Sequence, residues 1–220
     1  KAMTASMPRD MTSLLTHGYQ VKIGDYISRG WELLQPKIGL FISYTALLAG
    51  INVFLAFIPI PLLGGLVSFI VSPALNAGLF IVAYKHLLGE SVEFSDFFKG
   101  FERLGVFFMA TWLRGLFTTV GILLLIVPGI YLWVAYIFVE LMIIDQNLNW
   151  WPAMEMSRQL ITRKFFPMFG FLLLLVLINF GGALLCGLGL LVTVPLTCCA
   201  LTVAYVDIMN QGEGGGGTFG

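Results

Sequence analysis

The sequence predicts an all-α, polytopic membrane protein. Six transmembrane helices are expected, as three tandem helical hairpins, each introduced by an amphipathic cytoplasmic entry helix. Its composition is 58% hydrophobic and only 11% charged, with a mean hydropathy of +0.91, whereas soluble domains are about half apolar and a quarter charged. Uncharged apolar runs long enough to cross a bilayer recur along the chain. Eleven of the twelve lysines and arginines fall in segments that share one side.

The first predicted span, Ile38 to Ile58, is uncharged and long enough to cross a hydrocarbon core about 30 Å thick, because a helix rises 1.5 Å per residue. Prolines mark two of the turns: Pro59 and Pro61 stop the first span, and Pro128 ends the third. Pro73 lies inside the second span, where neighbouring groups can satisfy the freed backbone. The predicted spans are Ile38 to Ile58, Leu62 to Tyr84, Leu104 to Val127, Ile130 to Ile144, Phe165 to Phe180 and Leu190 to Met209.

The distribution of basic residues predicts the orientation. An even number of spans puts both termini on one side, together with the loops Lys85 to Arg103 and Asp145 to Lys164. The opposite connections contain no lysine or arginine. The positive-inside rule therefore predicts cytoplasmic N- and C-termini. The predicted domains are an N-terminal cytoplasmic segment (residues 1–24), a membrane domain (residues 25–209) and a flexible, glycine-rich tail (residues 210–220).

Short similarities suggest that one hairpin unit occurs three times. Segments that begin Ser28-Arg29-Gly30-Trp31, Ser95-Asp96-Phe97-Phe98 and Ser157-Arg158-Gln159-Leu160 precede the odd-numbered spans. Ala83-Tyr84, Ala135-Tyr136 and Ala204-Tyr205 recur in the even-numbered spans or at their ends. We interpret these as parallel repeats, which occur in transporters and also in plain scaffolds. Chance matches between apolar segments of simple composition are the alternative explanation.

The entry segments combine apolar and charged residues at helical spacing, as helices lying in the membrane interface do. They are expected to anchor the hairpins at the headgroup level, which tryptophan favours. The alternative is a cytoplasmic docking surface for a partner or for lipid. The predicted interfacial or partner-facing residues are Trp31, Phe97, Phe98, Phe101, Trp150 and Trp151.

Arg114 and Glu140 are the two acidic or basic residues placed well inside predicted spans. Each lies about 20 Å from Pro128 at 1.5 Å per residue, so the two side chains are expected to meet. An isolated charge in the bilayer costs at least about 2.5 to 3.5 kcal/mol, which favours pairing. The pair is interpreted as a structural clasp, with a proton or substrate relay as the alternative.

Further polar and small residues lie within the spans. Asn52, Asn76 and Asn179 are each expected to hydrogen-bond between helices, for about 0.6 to 2 kcal/mol. Together with the charged pair, they are also the residues to test for a pathway. Small residues at four-residue spacing, such as Ser68 with Ser72 and Ala74 with Gly78, favour close helix packing.

The composition offers little for a cofactor, and none is expected apart from bound lipid. His17 and His86 lie outside the spans, which argues against axial histidine ligation of haem or chlorophyll within the bilayer. A pigment bound by other means stays an alternative. The cysteines Cys186, Cys198 and Cys199 have no metal-site or disulfide spacing and are interpreted as small interior residues. Because the formal net charge is zero, binding of nucleic acid is not expected.

Two segments resemble a bacterial family of six-helix membrane proteins. The first is Gly24-Asp-Tyr-Ile-Ser-Arg-Gly30-Trp31. The second runs from Gly121 through Pro128-Gly129-Ile130-Tyr131-Leu132 and is followed by Ala153-Met-Glu-Met-Ser157. The family is similar to the YciC-like proteins and to the membrane domain fused to some glycerophosphodiester phosphodiesterases. The resemblance implies a six-helix bundle in a bacterial inner or comparable membrane, and it supplies no catalytic residues.

These observations favour a protein that is not an enzyme. The first hypothesis is an accessory, assembly or scaffold subunit that associates with lipid, with other membrane protein subunits or with itself. The second is a small transporter or permease that uses Arg114 and Glu140. A lipid-modifying enzyme is disfavoured because no nucleophile and base set is evident.

Overall fold

The computed structural model describes residues 14, 18–56, 61–184 and 187–212, and these contain helices and loops but no strand. Six helical segments in this part of the chain are long and apolar enough to cross a membrane. The predicted all-α, polytopic fold is therefore confirmed. Pro59, Cys186 and the tail from residue 213 onward lie outside the described residues.

The helices follow one another with short connections. Two of them are 3-10 helices, at Gln35–Lys37 and at Phe94–Arg103; we call the second the 3-10 entry helix. The α-helices are α1 (Ile23–Leu34), α2 (Ile38–Ala56), α3 (Pro61–Leu87), α4 (Leu104–Leu124), α5 (Ile126–Ala135), α6 (Val139–Asp145), α7 (Trp150–Arg163), α8 (Phe165–Leu184) and α9 (Leu190–Gly212).

The three hairpins pair α2 with α3, α4 with α5 and α6, and α8 with α9. An entry helix precedes each one: α1, the 3-10 entry helix and α7. The second and third entry helices each pack against the second half of the preceding hairpin. The 3-10 entry helix contacts α3, and α7 contacts α5 and α6. The first entry helix, α1, contacts α9, so the chain closes into a ring.

Glycines allow this close packing. A Cβ added to Gly78 of α3 would lie 2.0 Å from the carbonyl oxygen of Phe97, and one added to Gly100 would lie 2.1 Å from that of Ala74. In the ring-closing contact, a Cβ on Gly30 of α1 would lie 2.8 Å from the backbone of Ala200. The predicted close approach at Ala74 and Gly78 is therefore present, with an entry helix as the partner.

The predicted end of the third span at Pro128 is wrong. Helix α4 ends at Leu124, and Leu125 has an extended backbone between α4 and α5. Pro128 lies in the first turn of α5, where a missing N–H breaks no helical hydrogen bond. The turn instead depends on Gly121 and Gly129, since a Cβ on Gly121 would lie 2.9 Å from the Cα of Gly129.

The turn end of α5 lies beside the end of α7. The hydroxyl groups of Tyr131 and Thr162 are 2.7 Å apart, and the Tyr131 and Phe165 ring centroids are 5.7 Å apart. The sequence predicts that the hairpin turn and Lys164 lie on opposite sides of the membrane. In a membrane, the contact between Tyr131 and Thr162 can form in two ways. Either α7 enters the bilayer beside α5, or the second hairpin turns before it reaches the far side of the bilayer. Long basic side chains at the end of α7 can still reach the headgroups by snorkelling.

Candidate functional site

The predicted pairing of Arg114 with Glu140 is present. Arg114 lies in the middle of α4 and Glu140 in the first turn of α6, and Arg114 Nη1 is 2.7 Å from Glu140 Oε1. The glutamate side chain is 11% exposed and that of the arginine 30%. The contact joins the two sides of the second hairpin. Each charge replaces the water that would otherwise solvate its partner. The surrounding lipid cannot supply that solvation.

The fourth predicted span, Ile130 to Ile144, is not one helix. It breaks at residues 136–138, immediately before the helix that carries Glu140. The side chain of Ser157, in α7, is fully buried and bonds to the backbone on both sides of the break. Its hydroxyl donates to the carbonyl of Ala135 at 2.7 Å and accepts from the N–H of Phe138 at 3.3 Å. An entry helix therefore supplies the hydrogen bonds that the interrupted span lacks.

The three span asparagines differ in their roles. Asn52 and Asn76 donate to carbonyls of their own helices, those of Leu48 and Ser72. The expected interhelical bonds are thus not made by these two within the described part of the chain. An amide that bonds four residues back needs no second helix. Asn179 of α8 does bridge helices, because it donates to the Thr197 hydroxyl of α9 at 2.7 Å.

A crevice of about 530 Å³ separates α3 from α4 along the middle of both helices. Its volume is within the range of small-molecule sites, about 300 to 1,000 Å³. The lining combines aromatic rings with small hydroxylated residues: Ser68, Phe69, Ser72, Pro73, Asn76, Phe108, Thr111, Trp112, Gly115, Leu116 and Thr119. We call this the α3–α4 crevice. Among the described residues, no lysine, arginine, aspartate or glutamate lines it.

Two aspartates link the ends of neighbouring helices close to the entry segments. Asp145 accepts hydrogen bonds from Tyr84 of α3 and, at 2.6 Å, from Tyr205 of α9. Asp96 of the 3-10 entry helix lies 2.9 Å from the ammonium group of Lys85, at the end of α3. Both tyrosines belong to the repeated Ala-Tyr pairs. Part of the repeat is therefore used for contact between hairpins.

The predicted interfacial aromatic residues differ in their exposure. Trp31, Phe98, Phe101 and Trp151 are exposed. Trp150 is half-buried and packs against the core. Phe97 is a wrong prediction, since it is fully buried and stacks on Tyr44 at 4.0 Å. The 3-10 helix explains this, because its side chains repeat every three residues and put Phe97 on a different face from Phe98 and Phe101.

Groups that could hold a metal ion are absent from the described residues, as no three histidine, cysteine, aspartate or glutamate side chains come together there. Cys198 and Cys199 are buried free thiols, as expected for small interior residues. The role of Ser157 and the open crevice between α3 and α4 were not predicted from the sequence. A signal for the crevice did exist, in the four-residue spacing of Ser68, Ser72 and Asn76.

The fold and this interior define a multi-pass helical membrane protein with an intramembrane ion pair. The chain matches no family model, no curated protein and no solved structure. The likeness to the six-helix bacterial family therefore stays a hypothesis, based on the residues quoted for it.

Proposed function

We propose that this chain is a non-enzymatic integral membrane subunit, an accessory, assembly or scaffold protein that associates with a larger membrane complex or with lipid. The observation that carries the proposal is the 2.7 Å contact between Arg114 and Glu140. Charged groups that serve an ion or proton pathway exchange partners with the substrate or with water. Here the two charges at the centre of the second hairpin are satisfied by each other.

The outer surface supports the same proposal. Apolar side chains on the first helices of the hairpins point away from the bundle, including Phe54 of α2 and Leu177 of α8. Such faces pack against lipid or against other membrane helices. We further propose cytoplasmic N- and C-termini, from the positive-inside rule. A bacterial inner or comparable membrane is proposed on the family resemblance.

Native purification tests the proposal directly. The chain would be extracted in a gentle detergent, and the mass and composition of its assembly would be determined by native mass spectrometry. We expect recovery in an assembly of fixed stoichiometry that contains other membrane polypeptides. Recovery as a free monomer or a homo-oligomer, under conditions that preserve other membrane complexes, would contradict it.

A small transporter is the second candidate, and the break before α6 is the observation that favours it. Interrupted helices with a charged residue beside the break are typical of transporter sites. The test compares Leu113→Cys, beside Arg114, with the lipid-facing control Leu177→Cys, in a chain whose native cysteines are replaced by alanine. Labelling of position 113 alone by a water-soluble maleimide would favour transport. Absence of labelling at both positions would favour the subunit.

A further inference from the structure

The hydroxyl groups in the α3–α4 crevice differ from those elsewhere in the spans. Several serine and threonine hydroxyls elsewhere in the spans are bonded to a carbonyl of their own helix, as Thr45 is to Phe41 and Thr202 is to Cys198, whereas Thr118 and Thr193 are buried without a partner among the described residues. A hydroxyl satisfied in this way has little need of a further partner in lipid. Bonding within the helix is therefore the commoner arrangement for the described serine and threonine hydroxyls of the other spans.

The crevice departs from that pattern. Ser68 and Ser72 share only a 3.4 Å contact with each other. Thr111 and Thr119, on the opposite wall, make no hydrogen bond to another residue in the described part of the chain, and neither does the indole N–H of Trp112. Free hydrogen-bonding groups on both walls of a cavity that faces lipid are costly unless something occupies it.

A second cavity provides an internal comparison. It has about 500 Å³, lies between α5 and α8, and is lined by Val127, Pro128, Ile130, Tyr131, Phe165, Phe166 and Phe169. Its hydroxyl group, that of Tyr131, is bonded to Thr162. A cavity of similar size in the same bundle therefore has apolar walls and a satisfied hydroxyl. Packing of α5 against α8 thus leaves the lining hydroxyl bonded, whereas packing of α3 against α4 leaves Thr111 and Thr119 without a partner among the described residues.

We propose that the α3–α4 crevice binds an uncharged, mostly hydrocarbon molecule that carries hydroxyl or carbonyl oxygens. Phe69, Phe108 and Trp112 provide aromatic surface for its apolar part. Ser72 and Thr111 provide hydrogen bonds from the two walls to its oxygens. A charged headgroup is disfavoured because the described lining of the crevice contains no ionisable side chain. Prenyl alcohols and prenylated quinones share this chemistry. The inference does not depend on the chain being a complex subunit.

Gly115 offers a clean way to block the site. It lies in the crevice, and a Cβ added to it would meet no heavy atom within 4 Å. Gly115→Leu should therefore fill the cavity without displacing the helices. Gly105→Leu is the matched control, since Gly105 is on the same helix, is equally unobstructed and lines a different cavity, beside Trp150. Thr111→Val removes a hydroxyl group while keeping its shape.

The experiment measures binding of added probes to the full chain in detergent, by native mass spectrometry. The probes are farnesol, a short-chain prenylated benzoquinone and hexadecane, which has no oxygen. We expect the oxygenated probes to bind about fivefold or more tightly than hexadecane, with Thr111→Val removing most of that preference. Gly115→Leu should abolish binding of the oxygenated probes, and Gly105→Leu should preserve it. Whichever oxygenated probe binds more tightly identifies the source.

Three results would overturn the proposal. Equal binding to the wild type and Gly115→Leu would place the probe elsewhere. Equal affinity for hexadecane and the oxygenated probes would make the crevice a simple acyl-chain groove. Cross-linking of a photoreactive residue at position 112 to another polypeptide in native membranes, with no probe bound by the purified chain, would make the occupant a partner helix.

Discussion

Arg114 of α4 and Glu140 of α6 are joined by a 2.7 Å contact that crosses the second hairpin just beyond the break in its returning helix. The pair therefore holds the detached half-helix α6 against the continuous helix α4. Ser157 secures the same break from the side of α7. Two independent polar contacts thus stabilise the one interrupted span in the described part of the chain.

The contacts of Ser157 predict that Ser157→Ala destabilises the protein. Removing the hydroxyl leaves the carbonyl of Ala135 and the N–H of Phe138 without their partner, at a cost of about 1 to 3 kcal/mol. The thermal unfolding midpoint in detergent would measure it. Thr202→Ala serves as a buried control, because its hydroxyl bonds only a carbonyl of its own helix. Equal effects of the two substitutions would contradict the special role of Ser157.

The packing of α3 against the 3-10 entry helix predicts a contrast between two glycines of one helix. Gly78→Ala places a methyl group against the backbone of Phe97 and should cost about 1 to 3 kcal/mol by overpacking. Gly65→Ala meets no atom within 4 Å and should be neutral or stabilising by up to about 1 kcal/mol. Thermal unfolding of both variants checks this. A tolerated Gly78→Ala would show that the entry helix is not held closely.

The tyrosine contacts of Asp145 predict that Tyr205→Phe loosens the link between α9 and α6. The phenol donates to the carboxylate at 2.6 Å and is buried, so its removal should cost about 1.5 to 3 kcal/mol, the range for hydrogen bonds to charged groups. The measurement is the free energy of unfolding in mixed micelles. Tyr136→Phe is the control from the same repeat, since its hydroxyl makes no hydrogen bond to another described residue. An equally destabilised control would contradict the prediction.

Much of the fold was predictable from the sequence, because lipid leaves few choices for an apolar chain. Helix α4 begins at Leu104 and α8 at Phe165, as their apolar patterns predict. The meeting of Arg114 and Glu140 was also predictable, since the cost of an unpaired charge in lipid leaves few other arrangements.

The remaining differences come from backbone effects and from contacts between distant segments. Pro128 fits the start of a helix as well as the end of one, so the turn at Leu125 could not be deduced from it. The break before Glu140 depends on Ser157, which follows it by almost twenty residues. The burial of Phe97 depends on a 3-10 geometry that helical spacing does not reveal. The α3–α4 crevice exists only because α3 and α4 do not pack closely against each other along its length.

A double-mutant cycle tests most directly whether Arg114 and Glu140 hold the second hairpin together. Arg114→Gln, Glu140→Gln and the double variant would be compared by their free energies of unfolding in mixed micelles. We predict that each single substitution costs about 3 kcal/mol, because it leaves one charge unpaired. The double variant should cost clearly less than the sum of the two. Additive effects, with each single substitution costing under about 0.5 kcal/mol, would contradict the claim that these two charges exist to hold the hairpin together.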